Sequence, residues 1–158
     1  MTYRIAGLDP ELLQPLFALD DAALAERNAR RVTAAADRGF PCRVSLEDAR
    51  QGESLLLLHH TSHDVATPYR SAYAIYVRES ASRAEFVDET PPVFAGRPLG
   101  LRGFDAEGNL REARLALPDE ADGAIRALFA NPAIAYIDAH NAAHGCFAAR
   151  VERHGDAS

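Results

Sequence analysis

The segment that decides the fold reads Ala133-Ile-Ala-Tyr-Ile-Asp-Ala-His140, and the segment Cys146-Phe-Ala-Ala-Arg-Val-Glu152 follows it at hairpin distance. As a strand, the first segment places Asp138 and His140 on one face; as a helix, it places His140 beside His144. Isoleucine and tyrosine favour the strand, and the spacing to the next extended segment favours an antiparallel hairpin. We therefore predict two paired strands joined by a turn that runs from His140 to Gly145.

Further extended segments and two helices surround this hairpin. The predicted strands are Thr2–Ala6, Ser54–His59, Ala72–Glu79, and a second hairpin formed by Leu99–Phe104 and Leu110–Leu117. Ser54–His59 is apolar without alternation, which is typical of a central strand buried on both faces. The predicted helices are Asp9–Leu19 and Asp119–Ala130, with a short helical turn capped by Asp20. This pattern predicts an α+β fold with a mixed, largely antiparallel sheet and two main helices packed on it.

Length and composition indicate one globular domain. The chain has 158 residues, of which 47% are hydrophobic and 25% are charged. We predict a single domain over residues 1–158, with its core in residues 3–153 and a short flexible C-terminal tail. The formal charge of -6 argues against nucleic-acid binding, because phosphate recognition depends on clustered cations. The longest strongly apolar run, Leu55–Leu58, is too short to cross a bilayer, and Met1–Ile5 lacks the apolar run of a signal peptide. We predict a cytoplasmic location without membrane contact.

All 17 basic residues are arginine. The absence of lysine excludes a Schiff base, a pyridoxal-phosphate aldimine on the protein and a Walker-type phosphate loop, and no cofactor is predicted. An anion bound here is bound by arginine, whose planar fork of donors suits carboxylates and phosphates. Cys42 and Cys146 are the only cysteines, and in a reducing compartment both are expected to be free thiols.

The turn after the deciding strand suggests thiol chemistry. Cys146 would be the nucleophile, His140 its base, and Asp138 the group that orients the imidazole. However, such triads are usually assembled from distant segments, so Cys42 or another histidine is an alternative partner for Cys146. In the structural alternative, Cys146 is a small buried apolar residue.

A metal site is a weaker possibility. Its candidate ligands would be five histidines: His59, His60, His63, His140 and His144. Their spacings suit a metal only where the local backbone is helical, and the sequence contains neither Cys-x-x-Cys nor His-Glu-x-x-His. We therefore predict no metal ligands, and a His-rich metal-binding protein remains an alternative.

An arginine-lined pocket is the third possibility. Arg43 adjoins Cys42, Arg70 precedes a predicted strand, and Arg78 closes that strand. Arginines at strand ends would converge on a carboxylate or phosphate, with Tyr69 and Asn141 as orienting groups. Alternatively, each arginine forms an ordinary surface ion pair with one of the 23 acidic residues.

Three stretches of the chain resemble a known family. They are Pro41-Cys-Arg-Val-Ser-Leu-Glu-Asp-Ala49, then Pro68-Tyr-Arg70 leading to Ala74-Ile-Tyr-Val-Arg-Glu79, then His140-Asn-Ala-Ala-His-Gly-Cys-Phe-Ala148. In this order they resemble an uncharacterised bacterial family catalogued as domain of unknown function twelve-zero-three. The resemblance runs from about Tyr3 to Arg153. It implies that the chain is related to this family, but the family has no assigned activity that could be carried over.

The sequence therefore favours a small-molecule binding protein or enzyme whose pocket takes an anionic ligand. Its pocket would combine Cys42, Arg43, Arg70, His140, Asn141 and Cys146. Arg43 and Arg70 would bind the anionic group, His140 would move a proton, and a cysteine would be the nucleophile or redox centre. The alternative is a non-catalytic interaction or regulatory domain in which these residues are structural. In either case we expect a monomer or a small homo-oligomer.

Overall fold

The computed structural model describes residues 1–155, and in this part of the chain it contains nine β-strands and two α-helices. The strands are β1 (Tyr3–Ala6), β2 (Ala29–Thr33), β3 (Ser54–His63), β4 (Ser71–Arg78), β5 (Glu85–Val87), β6 (Leu99–Phe104), β7 (Leu110–Ala116), β8 (Tyr136–Asn141) and β9 (Phe147–Arg153). The helices are α1 (Asp21–Glu26) and α2 (Ala121–Phe129). Most of the predicted flexible tail lies outside the described residues.

The strands form two sheets. The large sheet has six strands in the order β5-β1-β9-β8-β6-β7, and the small sheet has three in the order β2-β3-β4. The prediction of an α+β domain with largely antiparallel pairing is confirmed. The expectation of one mixed sheet is wrong, because every pair of these strands is antiparallel and the parallel contact is an isolated bridge between Cys42 and Tyr76. Parallel neighbours need a long crossover, whereas turns and short loops link β3 to β4 and β8 to β9.

The hairpin that decides the fold is confirmed as β8 and β9. Ile137 pairs with Val151 and Ala139 with Ala149, and a bulge follows before His140 pairs with Phe147. On its other edge β8 pairs along its whole length with β6, so β8 is a central strand of the large sheet. The extra residue of the bulge is Ala148, so the bulge bends the start of β9 opposite His140 at the end of β8.

One face of the large sheet is packed by α2. Ile125 and Leu128 of the helix are fully buried, and they share a core with Leu101 and Ile137. The helix begins at Ala121 and ends at Phe129, inside the predicted range of Asp119–Ala130. Its apolar stripe covers β6 and β7 on this face of the sheet.

The predicted helix Asp9–Leu19 is wrong. The segment forms two 3-10 turns, Pro10–Leu12 and Gln14–Ala18, although Asp9 caps the first by accepting a hydrogen bond from the amide of Glu11. Pro15 accounts for the difference, because a proline inside an α-helix lacks the donor for the i−4 carbonyl and clashes with it. The α-helix instead begins after Asp20, whose side chain accepts from the Ala23 amide.

The central strand β3 is longer than predicted. It is the middle strand of the small sheet as expected, but it continues to His63 instead of ending at His59. A bulge between Thr61 and His63 preserves its pairing with β4 as far as Ser71. The extension carries the end of the small sheet over the large sheet, and His63 is buried where they meet.

Candidate functional site

Strand alternation separates the residues of β8 between two environments. Ile137 and Ala139 point into the core beneath α2. Asp138 and His140 therefore lie on the opposite face, because successive side chains of a strand alternate. In the register of the sheet, Arg102 of β6 and Arg150 of β9 are the neighbours of Asp138. This polar face of the large sheet looks towards the end of the small sheet.

A buried ion pair lies at the centre of the polar face. Asp138 is 0% exposed, and its two oxygens accept hydrogen bonds from Arg150 Nε at 2.7 Å and Nη2 at 3.0 Å. The guanidinium also lies over the ring of Tyr136, with its carbon 4.3 Å from the centroid. Arg150 Nη2 donates a longer bond, 3.4 Å, to the carbonyl of Ser62 in β3. The pair neutralises the carboxylate and links the two sheets.

His63 forms the second link between the sheets. Its Nδ1 lies 2.8 Å from the Tyr69 carbonyl, which can only accept, so Nδ1 donates and Nε2 accepts from the Tyr136 hydroxyl at 2.7 Å. The imidazole also lies against Phe104, with centroids 4.0 Å apart. Burial raises the pKa of Tyr136, so its hydroxyl keeps the proton it donates. These contacts hold the residues before Arg70 against the large sheet.

A cleft of about 420 Å³ opens where the sheets meet. The small-sheet side contributes Ser62, Arg70, Ser71, Ala72 and Tyr73, and the large sheet and its turn contribute Arg102, His140, His144, Gly145 and Phe147. This lining contains two arginines and two histidines but no aspartate or glutamate. The volume is in the range of small-molecule sites, and the charge of the lining suits an anion.

His140 presents one free acceptor to this cleft. The side chain is 5% exposed, and Nδ1 donates to the Gly145 carbonyl at 2.9 Å. Nε2 has no hydrogen-bond partner among residues 1–155. Burial lowers the pKa of His140, the Gly145 bond and Asp138 oppose that effect, and Arg102 adds to it. The imidazole is therefore neutral near pH 7, with the lone pair on Nε2.

Arg102 is the cation that the sequence analysis missed. It is half-buried, and it makes no hydrogen bond or ion pair with any residue that the structure describes. Arg70, on the opposite wall, is mostly exposed and pairs with Asp64 at 2.7 Å. In the sequence, Arg102 is one arginine within an apolar strand, and only its register opposite Asp138 reveals that it faces the cleft.

Cys146 belongs to a separate cluster around Arg43. Arg43 is 2% exposed, and Nε donates to the Phe147 carbonyl at 2.7 Å while Nη1 donates to the Pro41 carbonyl. Its Nη2 lies 3.1 Å from Cys146 Sγ, and Asn141 Nδ2 lies 3.3 Å from the same sulfur. Burial lowers the pKa of Arg43, and the neighbouring Cys146 opposes that effect. Each of the three guanidinium nitrogens thus has one acceptor.

The remaining predicted site residues lie apart from the cleft. Cys42 is fully buried, and its sulfur faces the backbone amides of Val44, Ser45 and Arg78 at 3.3–3.5 Å. Arg78 forms ion pairs with Glu47 at 2.6 Å and Glu53 at 2.9 Å. The Tyr69 side chain is exposed, and its carbonyl accepts from His63 and Ser71. Of the predicted set, the structure brings Arg70 and His140 to one cleft.

The geometry of a local thiol triad is not formed. Asp138 binds Arg150, and His140 binds the Gly145 carbonyl, so the carboxylate does not orient the imidazole. Nor do the histidines form a metal centre, since no group of three or more His, Cys, Asp or Glu side chains in residues 1–155 is placed to hold an ion. None of the helices in this part of the chain is long and apolar enough to span a membrane.

The fold and site define a class: an α+β protein of two antiparallel sheets with a small, cation-lined cleft where they meet. The family model described as protein of unknown function (DUF1203) matches residues 39–153, and the chain belongs to this family. The resemblance predicted from the sequence is thereby confirmed. All residues that line the cleft, the Asp138–Arg150 pair and the cluster around Arg43 lie inside the matched region. Comparisons with curated proteins and with solved structures find no match.

Proposed function

We propose that the protein binds a small anionic molecule in the cleft between its two sheets. The observation that carries this proposal is Arg102, a half-buried guanidinium without an ion-pair partner among the described residues, in a cleft whose lining has no carboxylate. A partly desolvated cation without a counter-charge favours an anion from solution. The planar donors of arginine match a carboxylate or a phosphate.

Two further side chains would complete the binding site. Arg70 stands on the opposite wall, and its exposed pair with Asp64 is weak enough to exchange for a ligand. His140 offers a neutral Nε2 that would accept a hydrogen bond or, in an enzyme, a proton. Arg43 would not contact the ligand, because its donors already bind two carbonyls and a sulfur.

The test is a binding screen with small carboxylates and phosphates, read by thermal shift and then by calorimetry. Arg102→Gln should weaken the binding of any hit about 10- to 100-fold, because charged hydrogen bonds contribute about 1.5–3 kcal/mol. Arg114→Gln is the matched control, since it removes the same charge from the exposed surface of β7. A screen without a hit, or equal loss in both variants, would refute the proposal.

Cys146 supports a second candidate function in thiol chemistry. The residue is partly exposed, and its Sγ lies 3.1 Å from Arg43 Nη2 and 3.3 Å from Asn141 Nδ2. Reactive cysteines lie in such partly exposed, electropositive surroundings. We propose Cys146 as the nucleophile or redox centre, with Cys42 sealed in the core. In the native protein, iodoacetamide should label Cys146 faster than an unstructured peptide thiol and Cys42 only after unfolding. Labelling of Cys146 no faster than the peptide would exclude this candidate.

The alternative class is a non-catalytic interaction or regulatory domain, and failure of both tests would favour it. We place the protein in the bacterial cytoplasm, in keeping with two thiols that do not form a bridge. The formal charge of -6 supports a partner other than nucleic acid. A monomer or small homo-oligomer is expected, and light scattering of the purified chain would decide between them.

A further inference from the structure

Nε2 of His140 is a hydrogen-bond acceptor in the cleft that an anion alone cannot satisfy. The inference drawn from this acceptor rests on the proposed anion binding. The ring of His140 is 5% exposed, and its one N–H is used by the Gly145 carbonyl. The lone pair of Nε2 has no partner among residues 1–155. A deprotonated carboxylate or phosphate brings further acceptors, so its oxygen would repel that lone pair. A complementary ligand must therefore also bring a donor.

The surroundings of His140 keep Nε2 an acceptor. Burial lowers the pKa of the ring; the Gly145 bond and Asp138 oppose that effect, and Arg102 and His63 reinforce it. Asp138 is itself paired with Arg150. The other charged or titratable groups that line the cleft are Arg70, Tyr73 and His144. The groups that face the cleft thus disfavour a second proton on the imidazole.

The same cations select the kind of donor. An ammonium group would stand beside Arg70 and Arg102, where its charge is repelled. A hydroxyl donates a hydrogen bond without adding charge. The strand opposite His140, β6, leaves room for the carbon atom that carries the hydroxyl. Gly100 is the register partner of His140, and a Cβ at Gly100 would meet nothing within 4 Å.

We infer that the ligand is a hydroxylated acid: a carboxylate or phosphate, bound by Arg102, that carries a hydroxyl within reach of His140. The hydroxyl donates a hydrogen bond to Nε2 of His140, and the anionic group accepts hydrogen bonds from the guanidinium of Arg102. Discrimination against the analogue without the hydroxyl follows, because that analogue would leave a desolvated acceptor unpaired.

Matched pairs that differ by one hydroxyl test the inference by calorimetry at pH 7.5. The probes are succinate against malate, glutarate against 2-hydroxyglutarate, and propyl phosphate against 2-hydroxypropyl phosphate. In at least one pair the hydroxylated member should bind about 5- to 100-fold more tightly, the range expected when a bound ligand covers an acceptor and leaves it unpaired. The carboxylate and phosphate pairs also identify the anionic group.

Two further measurements assign the preference to His140. His140→Phe should abolish the difference within the pair while anion binding remains, and His59→Phe, an exposed histidine outside the cleft, should preserve it. In the unmodified protein the preference should fall as the pH drops below the ordinary histidine value of 6.5, because a protonated Nε2 donates instead of accepting. This titration does not depend on the folding of a variant.

The outcomes separate the inference from the proposed function. Equal affinity within every pair, with binding that still requires Arg102, would overturn the hydroxyl requirement and leave the anion site standing. A preference that survives His140→Phe and low pH would also overturn it. Binding by no member of any pair, together with failure of the wider screen, would overturn both.

Discussion

Replacing Arg150 by Met should destabilise the protein more than replacing Asp138 by Asn, although both changes break one ion pair. The asymmetry comes from burial: the Asp138 side chain is 0% exposed, whereas that of Arg150 is 33% exposed. Without Arg150, the carboxylate of Asp138 stays buried from water and loses the guanidinium that binds both of its oxygens. Without the Asp138 charge, the guanidinium still reaches solvent and donates to the amide oxygen of the new asparagine.

The magnitude follows from the two hydrogen bonds of 2.7 and 3.0 Å. Leaving one member of a buried pair without its partner costs about 3–5 kcal/mol. Protonation of Asp138 sets an upper limit to this cost, because neutralising an ordinary aspartate at pH 7 costs about 4 kcal/mol. We therefore expect Arg150→Met to cost about 3–4 kcal/mol. Asp138→Asn should cost about 1–2 kcal/mol, the difference between a charged and a neutral hydrogen bond.

The assay is urea unfolding at 25 °C between pH 5 and pH 8. In Arg150→Met the folded protein should bind one proton more than the unmodified protein does. The loss of unfolding free energy in this variant should therefore shrink by up to about 1.4 kcal/mol for each unit by which the pH is lowered. The deficit of Asp138→Asn should change little over the same range. Arg4→Met, which breaks an exposed pair with Glu152, is the control and should cost under about 1 kcal/mol. Equal costs for the two variants, or a deficit of Arg150→Met that ignores pH, would refute the reasoning.

Two further predictions concern the backbone and acid stability. Gly7→Ala should cost about 3 kcal/mol or more, because the new Cβ would lie 1.9 Å from the Val44 carbonyl oxygen, whereas Gly100→Ala should stabilise by about 0.5–1 kcal/mol in open space. Urea midpoints decide this, and similar values for the two variants would contradict it. Burial lowers the pKa values of His140 and His60, so the unfolded chain binds protons first and stability should fall as the pH drops below about 6.5. His140→Phe should make this dependence shallower by at most about 1.4 kcal/mol per pH unit, and an unchanged slope would show that the ring is not buried as a neutral group.

The hairpin β8–β9 could be predicted because its information is local. Isoleucine and tyrosine fix the strand, and a short turn fixes its partner. The division into two sheets could not be predicted, because local sequence patterns do not show which distant strands pair or in which register. The 3-10 turns within Asp9–Leu19 follow from Pro15, which interrupts an α-helix and can be read from the sequence.

The cation-lined cleft was only half predictable for a related reason. Arg70 and His140 stood out because each sits at the end of a recognisable strand. Arg102 did not, because an arginine inside an apolar strand looks like any solvent-facing residue. Its register opposite Asp138, and the lack of a carboxylate partner among the described residues, emerge only when β6 is placed beside β8.

The polar residues that crowd the turn after β8 illustrate how the fold divides what the sequence puts together. Asp138 binds Arg150, His140 faces the cleft, and Asn141 turns with Cys146 towards Arg43. The turn nevertheless contacts both the cleft and the thiol cluster. The Gly145 carbonyl accepts a hydrogen bond from His140, and the Phe147 carbonyl accepts one from Arg43. A substitution of His140 therefore also removes a hydrogen bond of the turn that carries Cys146, so thermal unfolding of His140→Phe should accompany its binding assay. Arg102 makes no hydrogen bond or ion pair with this turn, so its substitution tests the cleft without removing a bond that holds the turn.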